Sequence, residues 1–216
     1  MRWELIDSSP VPGGEGVLSL HRRDDDFAIF IDHRRLMDSR VHDSELALAR
    51  LTCAADTCAV LIGGLGMGLT LRAALDQLGE DARVHVAELV PAVVRWNRGP
   101  LGVVSNRALD DPRVTVVTDD VGVVMRSAKW DVVLLDVDNG PEGLTRADND
   151  HLYAPAGLDA AFDALRPGGV LAVWSAQPDD AFTARLESRG FAVRVEIVRS
   201  GGLDRSDHVI WIATRP

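Results

Sequence analysis

The run Val60-Leu61-Ile62-Gly63-Gly64-Leu65-Gly66-Met67-Gly68-Leu69-Thr70 holds the residues most suited to chemistry. Apolar residues end in a cluster of glycines, and a helix-forming segment, 69–78, follows at once. A strand, glycine turn and helix in that order bring backbone N–H groups and a helix N-terminus close to a ligand, because no Cβ stands between them. The next apolar run ends in Glu88, 24 positions after Gly64. That is near the spacing at which an acid meets ribose hydroxyls in dinucleotide-type sites. Further carboxylates, Asp119, Asp120 and Asp136, follow later strand-like runs. Each alone reads equally well as a helix cap or a solvated loop acid. Placed at successive strand ends of one sheet, they predict a polar cleft suited to a nucleoside.

The elements that must position these residues alternate from Cys58 onward. Strands are predicted over 59–63, 84–88, 114–118, 132–136, 170–174, 192–198 and 208–214, and helices over 69–78, 91–98, 121–128, 156–165 and 179–189. Pro91 suits the first turn of its helix, and Arg166-Pro167-Gly168-Gly169 reads as a helix stop. Continuous apolar runs such as Val132-Val133-Leu134-Leu135 fit a parallel sheet covered on both faces. The last two strands have no helix between them, so a terminal antiparallel hairpin is expected. Ahead of this unit, runs over 17–22 and 27–32 flank the polar Arg23-Asp24-Asp25-Asp26 and predict a β-hairpin. A helix over 45–54, capped by Asp43 or Ser44, follows. The fold class is α/β: a doubly wound, mostly parallel sheet over 46–216 with a small N-terminal β-hairpin appendage over 1–45.

Composition bounds the function. The 216 residues, 46% hydrophobic and 26% charged, suit one α/β domain with an appendage. A formal net charge of −10 argues against a nucleic-acid surface. No apolar run nears the ~20 residues that span a bilayer, and no signal-peptide core is seen, so a cytoplasmic protein with no membrane partner is expected. Cys53 and Cys58 read as two buried thiols. The six histidines lack metal-ligand spacing, and no metal is expected.

Beyond the glycine turn and Glu88-Leu89-Val90-Pro91-Ala92-Val93-Val94, several motifs recur in a known order. They are Asp111-Pro112-Arg113-Val114, Asp131-Val132-Val133-Leu134-Leu135-Asp136, Leu152-Tyr153 and Leu165-Arg166-Pro167-Gly168-Gly169-Val170-Leu171. In these motifs, from about residue 32 to 191, the chain resembles the spermidine synthases and their relatives, built on the class I S-adenosylmethionine (SAM) methyltransferase-like fold. The resemblance implies a Rossmann-like SAM-binding topology with SAM or decarboxylated SAM as co-substrate and a small-molecule amine, of polyamine type, as acceptor. Gly64, Gly66, Met67 and Gly68 would then line the donor's thioether and tail. Glu88 would hold the ribose hydroxyls, Leu89 would bury against the sheet or flank adenine, and Asp120 would accept from the adenine amine, with Asp119 beside it as a further cofactor-binding candidate. Asp136 matches the carboxylate that orients and helps deprotonate the attacking amine, with Asp138 as a second acid of the same loop. Asn139, His151 and Tyr153 are the acceptor-side candidates, although Tyr153 reads equally as a packing residue. Relatives form dimers or tetramers, so a homo-oligomer is expected.

The chain also departs from that family. Met67 stands where the glycine motif usually carries an Asp that suits the primary ammonium of decarboxylated SAM. A Tyr-His-Glu element appears as Asp43-Ser44-Glu45, and the catalytic loop reads Asp136-Val137-Asp138-Asn139-Gly140-Pro141. These departures leave three functions open. The first is aminopropyl transfer to a polyamine-type amine; the second is SAM-dependent methylation of a small molecule, which Met67 would favour. The third is a non-catalytic nucleoside-binding protein. A nicotinamide enzyme is the weaker rival, because Leu69 stands where Gly-x-Gly-x-x-Gly needs its third glycine.

Overall fold

Strand alternation sets the layers of the molecule. A computed structural model describes residues 2–13, 16–40, 43–137, 149–199 and 207–216. Asp138 and Asn139, two of the candidate site residues, lie outside them. In β5 (Ala59–Gly63) and β8 (Trp130–Leu135), Val60, Ile62, Val132 and Leu134 enter one hydrophobic core, while Leu61, Val133 and Leu135 enter another. A strand buried on both faces has no polar side, which is why these runs are continuously apolar. Full burial of one such side chain contributes roughly 1.5–3 kcal/mol over exposure.

The main sheet has seven strands. In space they run from β10 (Ala192–Arg199) through β11 (Asp207–Thr214), β9 (Leu165–Ser175), β8 and β5 to β6 (Arg83–Ala87) and β7 (Val114–Val117). β5 to β9 pair in parallel, while β11 pairs antiparallel with both β9 and β10. The order reverses between β5 and β8, and such switch points are where open α/β sheets bind ligands. Helices α2 (Leu69–Gln77) and α3 (Pro91–Arg98) supply one core; α4 (Val121–Met125), α6 (Pro155–Ala164) and α7 (Asp180–Ser188) supply the other. The short α5 (Asp150–Tyr153) leads into α6.

Three expectations need correction. The N-terminal region is a four-stranded antiparallel sheet, not a hairpin: β1 (Glu4–Pro10), β2 (Val17–Arg23), β3 (Asp26–Ile31) and β4 (Arg34–Asp38) pair in sequence order. β1 is a mostly exposed edge with a bulge between Leu5 and Asp7, and β4 opens on two arginines, so neither shows an alternating apolar pattern. Helix α6 does stop at Ala164, ahead of Arg166-Pro167-Gly168-Gly169, but the strand expected over 170–174 begins at Leu165 and takes that segment into β9. Gly168 N donates to Arg215 O at 2.8 Å, and Arg215 N donates to Gly169 O at 2.9 Å. Of the two cysteines only Cys53 is buried, and burial pushes its thiol up to about 11; Cys58 is exposed.

The N-terminal sheet shares a core with the main domain. Leu18, Leu20, Phe27 and Ile29 project from β2 and β3 into the same cluster as Val60, Ile62 and α3. α1 (Asp43–Arg50) connects the sheets, burying Leu48 and Ala49 in that cluster. Trp96 of α3 adds a polar tie, donating from Nε1 to Asp7 Oδ2 on β1 at 2.7 Å. No helix among the described residues is long and apolar enough to cross a membrane.

Candidate active site

The glycine turn and Asp136 meet where β5 and β8 end side by side. Gly63 pairs with Leu135, and Asp136 N donates to Gly63 O at 2.9 Å. Gly64 then turns with φ +86°, and a Cβ there would lie 2.2 Å from the Asp136 carbonyl oxygen. Position 64 therefore demands glycine twice, for its backbone angle and for the close approach of β8. Gly68 is the second such position. It has φ +76° at the start of α2, and a Cβ would lie 2.9 Å from Asn97 Oδ1. Asn97 itself holds the loop, donating from Nδ2 to Gly66 O at 2.9 Å and to Val93 O at 3.0 Å.

Asp136 is a partly buried carboxylate with one strong partner. Thr70, on the first turn of α2, donates from Oγ1 to Asp136 Oδ2 at 2.6 Å. Burial and the negative charge of Glu45 together push the Asp136 carboxyl up to about 7, against the lowering effect of that hydrogen bond. Glu88, at the end of β6, is buried. Its two oxygens accept from Val90 N at 2.8 Å and from Leu65 N at 2.9 Å, so it braces the glycine turn from within. Burial also raises the Glu88 carboxyl above its ordinary value, with those backbone donors opposing.

These groups line one cavity of about 190 Å³. Its floor is Gly64, Gly66, Glu88 and Asp136; Glu45 of α1 and Trp174 of β9 stand at its sides; the N-terminal sheet roofs it. A second recess joins it at Gly64 and Glu88 and is lined by Leu89, Asp119, Asp120 and Asn149. A third, smaller one holds Met67 with Thr70, Glu45, Asp38 and Asp136. Among the described lining residues, no Lys, Arg or His accompanies the carboxylates of the main cavity. His208 stacks on Trp174 with ring centroids 5.1 Å apart, and burial holds its imidazole below the ordinary histidine value, so it brings no full positive charge at neutral pH. Among the described residues, no cluster of His, Cys, Asp and Glu is placed to hold a metal ion.

The candidate residues divide on placement. Gly64, Gly66, Glu88 and Asp136 meet in the main cavity, Leu89, Asp119 and Asp120 in the adjoining recess, and Met67 in the small one. Asp120 caps α4, its Oδ1 accepting from Gly122 N at 2.8 Å and Val123 N at 3.2 Å. His151 lies on α5 with Nε2 3.4 Å from that same oxygen. Tyr153 goes to the core instead: it is 2% exposed and packs edge-on against Phe182, outside the residues that line the three recesses. The packing reading of its Leu-Tyr element describes its position. Thr70 and Glu45 fall within quoted motifs, the opening run and Asp43-Ser44-Glu45, but the sequence assigns them no role at the site, and Asn97 and Trp174 fall outside the motifs. Asn97 carries no motif signal, whereas a strand-end Trp beside strand-end acids is a signal that could have been used.

Fold and floor together define a doubly wound α/β protein with carboxylates gathered at the switch point of its sheet. No family model matches the chain. In sequence it is 33% identical over 193 residues to the polyamine aminopropyltransferase of Mycobacterium tuberculosis, a match covering 80% of this chain and 34% of that protein. The chain thus spans about a third of the length of the curated relatives it matches. In structure it is similar to spermidine synthase from Thermotoga maritima, with a TM-score of 0.77 at 21% identity over 98% of this chain and 73% of that one. A spermidine synthase in complex with the transition-state analogue AdoDATO gives 0.76 at 22% identity over 98% and 72%. The chain is thus similar in sequence to polyamine aminopropyltransferases over 80% of its length, and it has the fold of the spermidine synthases.

Proposed function

We propose that this chain catalyses aminopropyl transfer from decarboxylated SAM to an amine, of the polyamine type that its relatives' names carry. The observation that carries the reading is the charge of the cavity. Glu45, Glu88 and Asp136 face it with no described basic side chain beside them, and burial holds the last two toward their protonated forms. Such a site is completed by a cation, which restores both carboxylates to their charged state. A sulfonium donor and an amine acceptor supply that charge.

The same arrangement favours the decarboxylated donor. Met67 takes away the acid expected in the glycine turn, yet Glu45 shares the small recess with it and with Asp136. A donor tail that ends in ammonium meets these acids, whereas the carboxylate of SAM would meet like charge there. In this reading Glu88 receives the ribose, the recess at Leu89, Asp119 and Asp120 receives adenine, and Gly64, Gly66 and Gly68 admit the tail. The region over 1–45 acts as a roof on the donor-binding unit over 46–216. Asp138 and Asn139 join the acceptor side by sequence position alone.

Chemically, the amine nitrogen attacks the carbon next to the sulfonium. The new C–N bond forms as the C–S bond breaks, and sulfur keeps the electron pair as the thioether of methylthioadenosine. A free alkylamine of pKa near ~10 is mostly protonated at neutral pH. The ionised Asp136 orients the neutral nitrogen and takes up the proton released after attack. The test is incubation with decarboxylated SAM and a panel of amines, scored by mass spectrometry for methylthioadenosine. Calorimetry on the same protein should show decarboxylated SAM binding at least tenfold tighter than SAM. Tighter binding of SAM, with methyl transfer and no methylthioadenosine, would replace this reading with methylation.

A further inference from the structure

Among the described residues the two sheets end in four edge strands, and three of these are blunted. β1 carries a bulge and Pro10, β4 opens on the like charges Arg34-Arg35, and β7 is four residues long. Such features discourage a further strand from adding to an edge. β10 has no bulge, Pro or run of like charge: its eight residues pair with β11 in one unbroken register. Side chains alternate along it between the two faces of the sheet. Val193 packs on the core that α6 and α7 cover, whereas Val195 and Ile197, the next two on that face, are 44% and 67% exposed. On the other face Arg194 and Glu196 pair with each other at 2.8 Å. The edge thus offers two large apolar side chains and a pair of opposite charges beside a long, regular row of backbone N–H and C=O groups.

We propose that β10 joins β10 of a second copy of this chain, antiparallel about a two-fold axis at Val195, and so continues the main sheet across a dimer. The charges along the strand choose this occupant and this register. With Val195 opposite its own copy, Arg194 of each chain faces Glu196 of the other, and Val193 faces Ile197 in the same way. Opposite charges and β-branched pairs set directly across two antiparallel strands stabilise them. The neighbouring two-fold registers fail, because an axis at Arg194 sets arginine against arginine and one at Glu196 sets glutamate against glutamate. The chosen register also gathers Val193, Val195 and Ile197 of both copies into one apolar stripe on one face, where each covers what the other exposes. A two-fold contact uses the edge once in each copy, so it closes at the dimer instead of growing into a fibre. The inference does not depend on the transfer reading, since β11 and β9 stand between β10 and the switch point.

The experiment is sedimentation velocity on the whole chain over a roughly hundredfold range of concentration, so that mass action shows. The parent should reach twice the mass of one chain. Ile197→Lys changes a side chain that already faces water, so its circular dichroism should match the parent's, yet it should raise the dimer Kd by roughly tenfold or more. Arg194→Glu and Glu196→Arg, each alone, set like charges across the axis and should run as monomers where the parent is a dimer. An equimolar mixture of these two variants should associate again, because both crossings of the mixed dimer then join an acid to a base. Rescue by mixing is a result that no effect within a single chain would give. A parent that stays monomeric over the whole range overturns the inference. So does a dimer that Ile197→Lys leaves intact, or a mixture no more associated than its two parts. A dimer that is weakened by Leu5→Lys on β1 and not by Ile197→Lys would move the contact to the N-terminal sheet and overturn the assignment to β10.

Discussion

At the carboxyl ends of β5, β6 and β8 the cavity is acidic, and its polar groups are committed to short hydrogen bonds: Thr70 to Asp136 at 2.6 Å, Leu65 and Val90 to Glu88 at 2.9 and 2.8 Å. Under β2, β3 and β4 the same cavity is walled by Leu18, Ile29, Ile31, Leu36 and Met37, none of which donates or accepts a hydrogen bond from its side chain. The floor is costly to fold, because it holds carboxylates away from water. The roof stabilises the fold, because its side chains continue the core that contains Val60 and Ile62. The contrast separates two parts: the floor gathers the carboxylates, and the roof closes the cavity over them with apolar side chains. Substitutions in the two walls should therefore move activity and stability in different combinations.

The largest effect belongs to Asp136. In the proposed transfer reaction Asp136→Asn removes the group assigned to orient the amine and take its proton, and turnover should fall by roughly 10²–10⁴-fold. Stability should move the other way. The folded-state pKa, about 7, lies above the ordinary value of 3.8, so the native state holds the extra proton between those values. Stability is then full below about pH 4 and declines as pH rises toward 7, by on the order of 4 kcal/mol. The Asn variant lacks that decline and should melt higher than the parent at pH 8. A variant that melts lower at pH 8 would mean that Asp136 is ionised and well served in the resting protein, and the floor would lose its character.

Gly64→Ala tests the geometry of the floor without touching its charge. The added Cβ would meet the Asp136 carbonyl oxygen at 2.2 Å, in a backbone conformation with φ +86°. Both strain and overlap oppose it, and a loss of roughly 3 kcal/mol or more is expected in denaturant titration. If the variant keeps its stability, β5 and β8 do not meet as tightly as the switch point requires. Thr70→Val is subtler. It removes the hydrogen bond that favours the ionised Asp136, so the acid limb of kcat/KM near pH 7 should shift upward, while Thr70→Ser should restore it. An unchanged limb in the Val variant would show that another group sets it.

How much of this was legible in the sequence follows the same division. The parallel strands could be read because burial on both faces writes a continuous apolar run, as Val132 to Leu135 shows. The floor could be read because Gly64, Glu88 and Asp136 fall at strand ends, where topology gathers them. Thr70 and Asn97 could not, since their partners, Asp136 and Gly66 O, are 66 and 31 positions away and nothing local marks the pairing. The roof was half seen. β2 and β3 alternate and predict a hairpin, but β1 is an exposed, bulged edge and β4 begins with Arg34-Arg35, so the residues that close the cavity, Leu36 and Met37, looked like loop. Trp174 lies in a core strand, and only its place at the strand's end brings it to the cavity.

The smallest expected effect is the one that best tells a structural acid from a working one. Asp120 caps α4 through two backbone hydrogen bonds, which is reason enough for an acid there. Asp120→Ala should cost about 1 kcal/mol, a fall in Tm of roughly 2–4 °C for a chain of this size. Asp120→Asn keeps the cap, because Asn serves an N-cap as well as Asp, and should melt with the parent. The two variants part company over ligand. If the free oxygen of Asp120 accepts from an adenine amine in the recess beside Leu89 and Asp119, the Asn variant can present its own N–H₂ there and should bind decarboxylated SAM several-fold more weakly at unchanged Tm. Equal donor affinity in parent and Asn variant would leave Asp120 as a cap alone. The acids that act would then be only those that line the main cavity, Glu45, Glu88 and Asp136, and donor recognition would rest on Glu88 and the apolar walls.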